Sequence, residues 1–315
     1  MKRYRAALLG YYGFGNLGDE LLLKACLEIL YRCGVNRESI VVLSNSPMET
    51  SRSFNVDAVN RWRLREVFRA FKESERLILA GGGIFQDRTS VKSCVWYWGI
   101  VRLASMLGVK VFALGQSVGP LTSGISRMFA SDALKLCGKV HVRDDNSLRL
   151  AQNLGCRDVI IGSDLVMTLK PDIAHTERRY MLVNLRPCPE LEHYTRILLP
   201  HVDADTVGAA LSPEDEEALR PLGLRRIVGV KTFRDAEELW IGASCAVGMR
   251  LHFGILSRIF RTRLAMMPYD VKVNEFARQS GIPCIAGEWV EPAMPYDVPE
   301  SVNDVERVCR EILAL

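Results

Sequence analysis

The feature that most constrains this chain is its rhythm. Short, nearly continuous apolar runs alternate with longer segments whose apolar residues recur at helical spacing. A strand that is apolar on both faces must be covered on both faces. In an alternating chain, that cover is a layer of helices on either side of a parallel sheet. The runs at 4–9 (YRAALL), 40–43, 76–80, 110–114, 139–142 and 158–161 read as strands, with helical patterns at 17–33, 63–73, 96–107, 124–137 and 144–153. Residues 163–179 (SDLVMTLKPDIAHTERR) hold a proline, several charges and little periodicity, and read as a linker. The alternation then restarts. Strands are expected at 180–185, 226–230, 244–247, 262–266 and 282–285, with 205–211 as a further candidate. Helices are expected at 190–201, 213–220, 233–242, 251–260 and 271–280, then a proline-bearing loop at 288–299 and a last amphipathic helix at 300–313. The fold class is α/β, as two Rossmann-like domains facing across a cleft. One domain covers 1–170 and the other 171–299, and a C-terminal helix over 300–315 can pack back on the first.

With 315 residues and 48% hydrophobic content, both halves can bury a core. The net charge of +4 is too mild for a dedicated nucleic-acid binder and suits an enzyme with an anionic substrate or one working near anionic lipid. The nine cysteines are odd in number and contain no CxxC, which fits a reducing cytosol better than a disulfide framework or a zinc site. The basic start MKRYRAALLG is too briefly apolar for a signal peptide, and no run of ~18 apolar residues marks a membrane span. The expected location is cytoplasmic, with peripheral contact at the inner membrane face left open. Arg61, Trp62, Arg63 and Arg65 read as a solvated basic helix or as that contact.

In parallel α/β sheets, ligands sit beyond the C-terminal strand ends, so the polar residues there are the candidates. After the first strand, GYYGFGNLGDELLL has the spacing of a dinucleotide loop at Gly13, Gly15 and Gly18, but acids follow at once and compete with a bound anion for the helix N-terminus. A tight capped turn is one alternative. Another is a polar pocket in which Asn16, Asp19 or Glu20 meets sugar hydroxyls or acts as a base. AGGGIFQD offers Gln86 and Asp87, and ALGQSVGPL reads as a turn presenting Gln116 and Ser117. In SCVWYWGI, Trp96, Tyr97 and Trp98 cannot all face one core; they read as ordinary packing, or one ring lines a cleft or stacks on a sugar. In the second half, Arg186 ends a strand, and Lys272 lies early in the helix after PYDVKV. In GMRLHFGILS, Arg250 and His252 stand at a strand-to-helix seam. Residues two apart do not share a helix face. If both serve one ligand, the helix must begin after Arg250, and its first amides then face that ligand too.

The segments GYYGFGNLGDELLL, AGGGIFQD, GQSVGPL, VRDDNSLRLAQNLG, GSDLVM, GMRLHFGIL and YDVKV occur in this order. As a set they resemble the bacterial polysaccharide pyruvyltransferase family, closest to the branch that modifies the cell-wall polysaccharide anchoring S-layer proteins. The resemblance implies a GT-B-like fold and phosphoenolpyruvate as donor. It implies an acceptor resembling N-acetylmannosamine on a lipid-linked disaccharide, and a 4,6-linked pyruvate ketal with release of phosphate. It implies no metal and no cofactor. Family arginines and a histidine match Arg186, Arg250 and His252, and Asp19 matches an acidic position of the N-terminal motif.

The chemistry asks for these residue types. Arginine forks fit both carboxylate and phosphate, so Arg186, Arg250 and Lys272 suit the donor. The enol carbon C2 becomes electrophilic only when C3 takes a proton, and a histidine with its reference pKa of ~6.5 suits that transfer, which points to His252. Asp19 or Glu20 would serve as base. Asn16, Glu20, Gln86, Asp87, Gln116 and Ser117 would meet the acceptor. Two rivals stay open: a GT-B nucleotide-sugar glycosyltransferase and a non-catalytic glycan-binding protein.

Overall fold

The computed structural model describes residues 2–88, 90–172, 177–299 and 301–315. Of the expected linker, 173–176 lie outside the described residues, as does residue 300 of the last helix. The chain forms two compact units. The first comprises Met1–Phe14, Leu22–Thr168 and Pro299–Leu315, and the second Gly15–Leu21 and Leu169–Val298.

The first unit is built on seven parallel strands: β1 (Ala6–Leu9), β2 (Ile40–Ser44), β3 (Asp57–Asn60), β4 (Arg76–Phe85), β5 (Lys110–Val118), β6 (Cys137–Val142) and β7 (Val159–Ile161). Their order in the sheet is β3-β2-β1-β4-β5-β6-β7, and it reverses between β1 and β4. The chain's first six helices are α1 (Leu17–Arg32), α2 (Pro47–Phe54), α3 (Leu64–Lys72), α4 (Val91–Met106), α5 (Gly124–Lys135) and α6 (Asp145–Asn153). AALL and IVVLS are buried at every position, as strands covered on both faces must be.

The structure departs from the sequence reading here in three places. β3 and α2 were not expected. DAVN is an edge strand half-buried throughout, and PMETSRSF is too polar to show a core-facing stripe. The glycine run is not a loop but part of β4, which has positive φ at Gly81 and Gly82, stays paired through Gly82 and shifts register between Gly82 and Phe85. Gly81 has φ +71, and a Cβ there would lie 2.5 Å from Leu22, so a glycine here lets α1 lie close to the sheet. The turn expected to present Gln116 and Ser117 is likewise strand. β5 runs on to Val118, leaving Gln116 fully buried and Ser117 2% exposed.

The second unit has five parallel strands: β8 (Tyr180–Asn184), β9 (Val207–Ala210), β10 (Arg226–Gly229), β11 (Ala243–Gly248) and β12 (Arg263–Met266). Their order is β10-β9-β8-β11-β12, with the reversal between β8 and β11. Helices α7 (Leu191–Leu198), α8 (Pro213–Leu219), α9 (Phe233–Trp240), α10 (Leu251–Ile259) and α11 (Val271–Ser280) belong to it. The strand expected at 282–285 is reduced to one bridge, Cys284 to Met266, because Pro283 has no N–H for a ladder. The final helix, α12 (Ser301–Ala314), is counted with the first unit, where Arg76 donates to the carbonyls of Ile312 (3.1 Å) and Leu313 (2.8 Å). No helix among the described residues is long and apolar enough to cross a membrane. All nine cysteines are free thiols.

His141 on β6 is fully buried, and its Nδ1 accepts the Gly115 N–H at 2.9 Å. Burial pushes its pKa down to about 4, with Asp304 opposing and Arg307 reinforcing. The unfolded chain therefore takes this proton near 6.5 and the folded chain near 4. The stabilisation from neutral His141 is complete above pH 6.5 and is lost as pH falls towards 4, by on the order of 3 kcal/mol. Melting curves should show this slope, and His141→Gln should flatten it. An equal slope in the variant would assign the effect elsewhere.

Candidate active site

In the second unit, the reversal of strand order puts the ends of β8 and β11 side by side, with their following loops turning away in opposite directions. The polar residues gather there. β11 ends at Gly248, and α10 begins at Leu251 with Arg250 as its N-cap in extended conformation (φ −75, ψ 135). The helix thus starts after Arg250, as a ligand shared with His252 requires. His252 lies in the first turn and is partly exposed.

Arg250 is only 9% exposed, and its fork is already engaged. Its Nε donates to both oxygens of Asp215 (2.9 and 2.6 Å), and Nη2 donates to Asp215 (2.5 Å) and Glu214 (3.0 Å). Burial alone would lower its pKa, but Asp215 and then Glu214 raise it, so the guanidinium stays charged. Asp215 is fully buried and also accepts from the Leu211 N–H (3.0 Å) and Asn184 Nδ2 (3.2 Å). Asn184, the last residue of β8, accepts the Arg250 N–H through Oδ1 at 3.1 Å. Three strand ends are therefore locked around one guanidinium.

Arg186, two residues beyond β8, is held differently. Its Nη1 donates to the Tyr269 hydroxyl at 2.8 Å, and its guanidinium carbon lies 4.5 Å from the Tyr269 ring centre. Its Nε is buried without a hydrogen-bond partner. Burial, and next Asp270, push the Tyr269 pKa up, against the nearby arginines, so the phenol remains neutral. Asp270 caps α11 by accepting from the Val273 N–H (3.1 Å), and this fixes the first turn that carries Lys272.

The start of α1 belongs to the same unit. The Leu17 N–H donates to the Leu211 carbonyl at 3.0 Å, and Asn16 Oδ1 caps the Gly18 N–H at 3.1 Å. Gly18 packs directly on the imidazole, for a Cβ there would lie 2.1 Å from His252 Nδ1. Asp19 and Glu20 are the acids of that first turn. Asn16, Asp19, Glu20, Arg186, Arg250, His252 and Lys272 are thus all in the second unit, although the sequence reading set the first three in the N-terminal domain.

The other four candidates lie in the first unit. Gln116 Nε2 donates to the carbonyls of Leu79 (3.0 Å) and Gly81 (2.8 Å), bracing β4 at its glycine run. Ser117 is buried beside it in β5. Gln86 Oε1 accepts the Arg88 N–H at 2.8 Å. Asp87 accepts from the backbone N–H groups of Thr122 (2.9 Å) and Ser123 (2.7 Å). Burial would raise its pKa, but those donors hold it below the usual carboxylate range. These contacts pin one loop to another.

Arg61 departs from the solvated basic reading, while Trp62, Arg63 and Arg65 are exposed. Arg61 is 2% exposed, donates to the Gly10 carbonyl at 2.8 Å, and lies 4.1 Å from the Trp96 ring centre, with Phe14, Trp62 and Tyr97 around it. Sequence reasoning also missed Asp215, Asn184 and Tyr269. Only the last two carried a signal, a polar residue at or just after an apolar strand.

The sequence matches the family model described as polysaccharide pyruvyl transferase over residues 16–271. No curated protein matches it. Among solved structures, it is similar to the UDP-GlcNAc 2-epimerase of Methanocaldococcus jannaschii, with TM-score 0.63, 10% identity, and coverage of 98% of this chain and 99% of that one. It is also similar to the UDP-GlcNAc 2-epimerase of Neisseria meningitidis bound to UDP-GlcNAc (TM-score 0.56, 9% identity, 98% and 91% covered). A third is a ugt transferase of Siraitia grosvenorii in complex with UDP (TM-score 0.52, 12% identity, 98% and 90% covered). At such identities the likeness concerns the fold, which is α/β with two parallel sheets and GT-B-like.

Proposed function

The chain belongs to the polysaccharide pyruvyl transferase family, and from that membership we propose that it moves the pyruvyl group of phosphoenolpyruvate onto two hydroxyls of one sugar residue. The product is a 4,6-ketal and free phosphate. The observation that carries the reading is the convergence of Arg186, Arg250 and His252 at the strand-order reversal of a sheet inside the matched segment.

Phosphoenolpyruvate is a compact trianion, and binding it requires cations held in place beforehand. Arg186 is the freer of the two forks, with its buried Nε left to a carboxylate or phosphate oxygen. Arg250, its charge already met by Asp215 and Glu214, contributes its remaining Nη1 as a fixed donor. Lys272 and the first amides of α10 add to the field. His252 gives a proton to C3, C2 becomes electrophilic, and one sugar hydroxyl attacks it. Asp19 or Glu20 takes the hydroxyl proton. The C2–O bond to phosphate then breaks, and the second hydroxyl closes the ring at C2. One hydroxyl proton ends on C3 and the other on phosphate, so the step balances without a metal or an oxidant.

The acceptor we propose is an N-acetylmannosamine residue of a lipid-linked cell-wall polysaccharide precursor, as in the S-layer-anchoring branch of the family. The enzyme would then work in the cytoplasm beside the inner leaflet. Mass spectrometry of products from phosphoenolpyruvate and lipid-linked disaccharides tests this directly. A mass gain matching the pyruvate ketal, with phosphate release, is expected. Transfer of sugar from a nucleotide-sugar, with no ketal formed, would replace the reading with that of a glycosyltransferase.

Gly18 gives a test that leaves every charged group in place. A methyl at this position meets the His252 ring and must displace it. Gly18→Ala should lower turnover ~10-fold or more, because a misplaced proton donor loses its geometry. The melting temperature should hold, since alanine is the better helix former. Full turnover would mean that the imidazole position does not matter.

A further inference from the structure

A face of the first unit whose composition matches no buried role lies on α3 and the turn before it. Val67, Ala70 and Phe71 bury the inner side of this helix. The outer side carries Leu64, 62% exposed, and Phe68, 40% exposed, and Trp62 just before it is 54% exposed. Arg65, Arg69 and Lys72 border these apolar side chains, and together with Leu64 and Phe68 they line one shallow depression. The Lys72 ammonium lies 4.9 Å from the Phe68 ring centre, its stem covering the ring. Among the described residues, none of these three cations has an ion pair. The one acid within α3, Glu66, accepts from the Asn60 N–H (3.0 Å) and Arg63 Nη1 (3.0 Å) and makes no ion pair with these three.

A solvated surface helix has no need of Leu and Phe on its outer side, and a protein partner would ordinarily find mixed charge there. Apolar side chains ringed by unpaired cations suit a surface that is apolar inside and anionic outside. We propose that α3 docks the protein on anionic phospholipid, with Leu64 and Phe68 entering the headgroup boundary and Arg65, Arg69 and Lys72 meeting lipid phosphates. Nine residues with two apolar side chains make a weak anchor that depends on charge, so docking is reversible and salt-sensitive. Such docking would keep the protein near a lipid-linked acceptor, but it does not depend on the acceptor's identity.

The test is co-sedimentation of the full chain with phosphatidylcholine vesicles, with and without phosphatidylglycerol, in the absence of either substrate. The chain should pellet with the anionic vesicles only and be released by salt. Arg65→Glu with Arg69→Glu should weaken binding by ~30-fold or more. Phe68→Ser should weaken it at low salt too, and both variants should keep the native melting temperature because the changed side chains are exposed. Binding unaltered in the double variant overturns the proposal, as does equal pelleting with neutral vesicles. A Phe68→Ser variant that binds like the native chain refutes the insertion, and a self-association abolished by the same substitutions assigns the face to a second copy instead. Pyruvyl transfer to a water-soluble acceptor should be the same in all variants, so loss of docking and failure of the functional assignment are separable.

Discussion

Replacing His252 by alanine is expected to cut ketal formation by ~10²-fold or more, with donor binding little changed. An enol ether carbon does not accept an alcohol until its neighbour is protonated, and imidazole is the side chain that exchanges protons near neutrality. His252 is also the one side chain of this set that Gly18 has made room for. The measurement is single-turnover formation of the ketal product, alongside the donor KM and the melting temperature. Near-native turnover in a folded His252→Ala protein would remove the histidine from the mechanism. A carboxyl group in the first turn of α1 would then be the remaining acid to examine.

The second large effect concerns stability. Asp215 has no exposure and holds Arg250, the Leu211 N–H and Asn184 at once. Asp215→Ala leaves a buried guanidinium without its main counter-charge and the Leu211 N–H without its acceptor, while Asn184 Nδ2 keeps only the Ala209 carbonyl. Breaking a buried pair in this way costs roughly 3–5 kcal/mol. A marked fall in melting temperature and in denaturant midpoint should follow, together with a raised donor KM as Arg250 loses its fixed orientation. Asp215→Asn keeps an acceptor for the Leu211 N–H and should fall between the two. If Asp215→Ala melts like the native chain, the pairing described for Arg250 does not contribute to holding the second unit together.

The two arginines also need not behave alike. Spacing and chemistry assigned both the same duty. In the structure, Arg250 is an internally neutralised post, whereas Arg186 leans on a phenol and keeps one buried donor without a protein partner. That difference depends on which residues lie at the ends of β9 and β12, and neither is near either arginine in sequence.

What the sequence determined by itself is the class of fold and the strand ends at which the candidate residues lie. Covering an apolar strand on both faces is a local demand repeated along the chain, and it leaves a parallel sheet with ligands at its C-terminal edge. The strand-to-helix seam of GMRLHFGILS is equally local, and so the start of α10 after Arg250 could be stated as a condition in advance. Partner choice was decided only by the tertiary structure. Gly81, Gly82, Gln116 and Ser117 looked like loop residues because glycine suits a turn, yet a strand can also hold glycine at positive φ, and only the packing of Leu22 against Gly81 distinguishes the two. Arg61 looked solvated because it sits in a basic run, yet the aromatic rings that bury it come from three separate stretches of chain. Asp215 stood among four consecutive acids with nothing in their spacing to single it out. It became the counter-charge of Arg250 because parallel strands bring the ends of β8, β9 and β11 together across long loops, and hydrogen bonds and ion pairs act over ångströms of space rather than along the sequence.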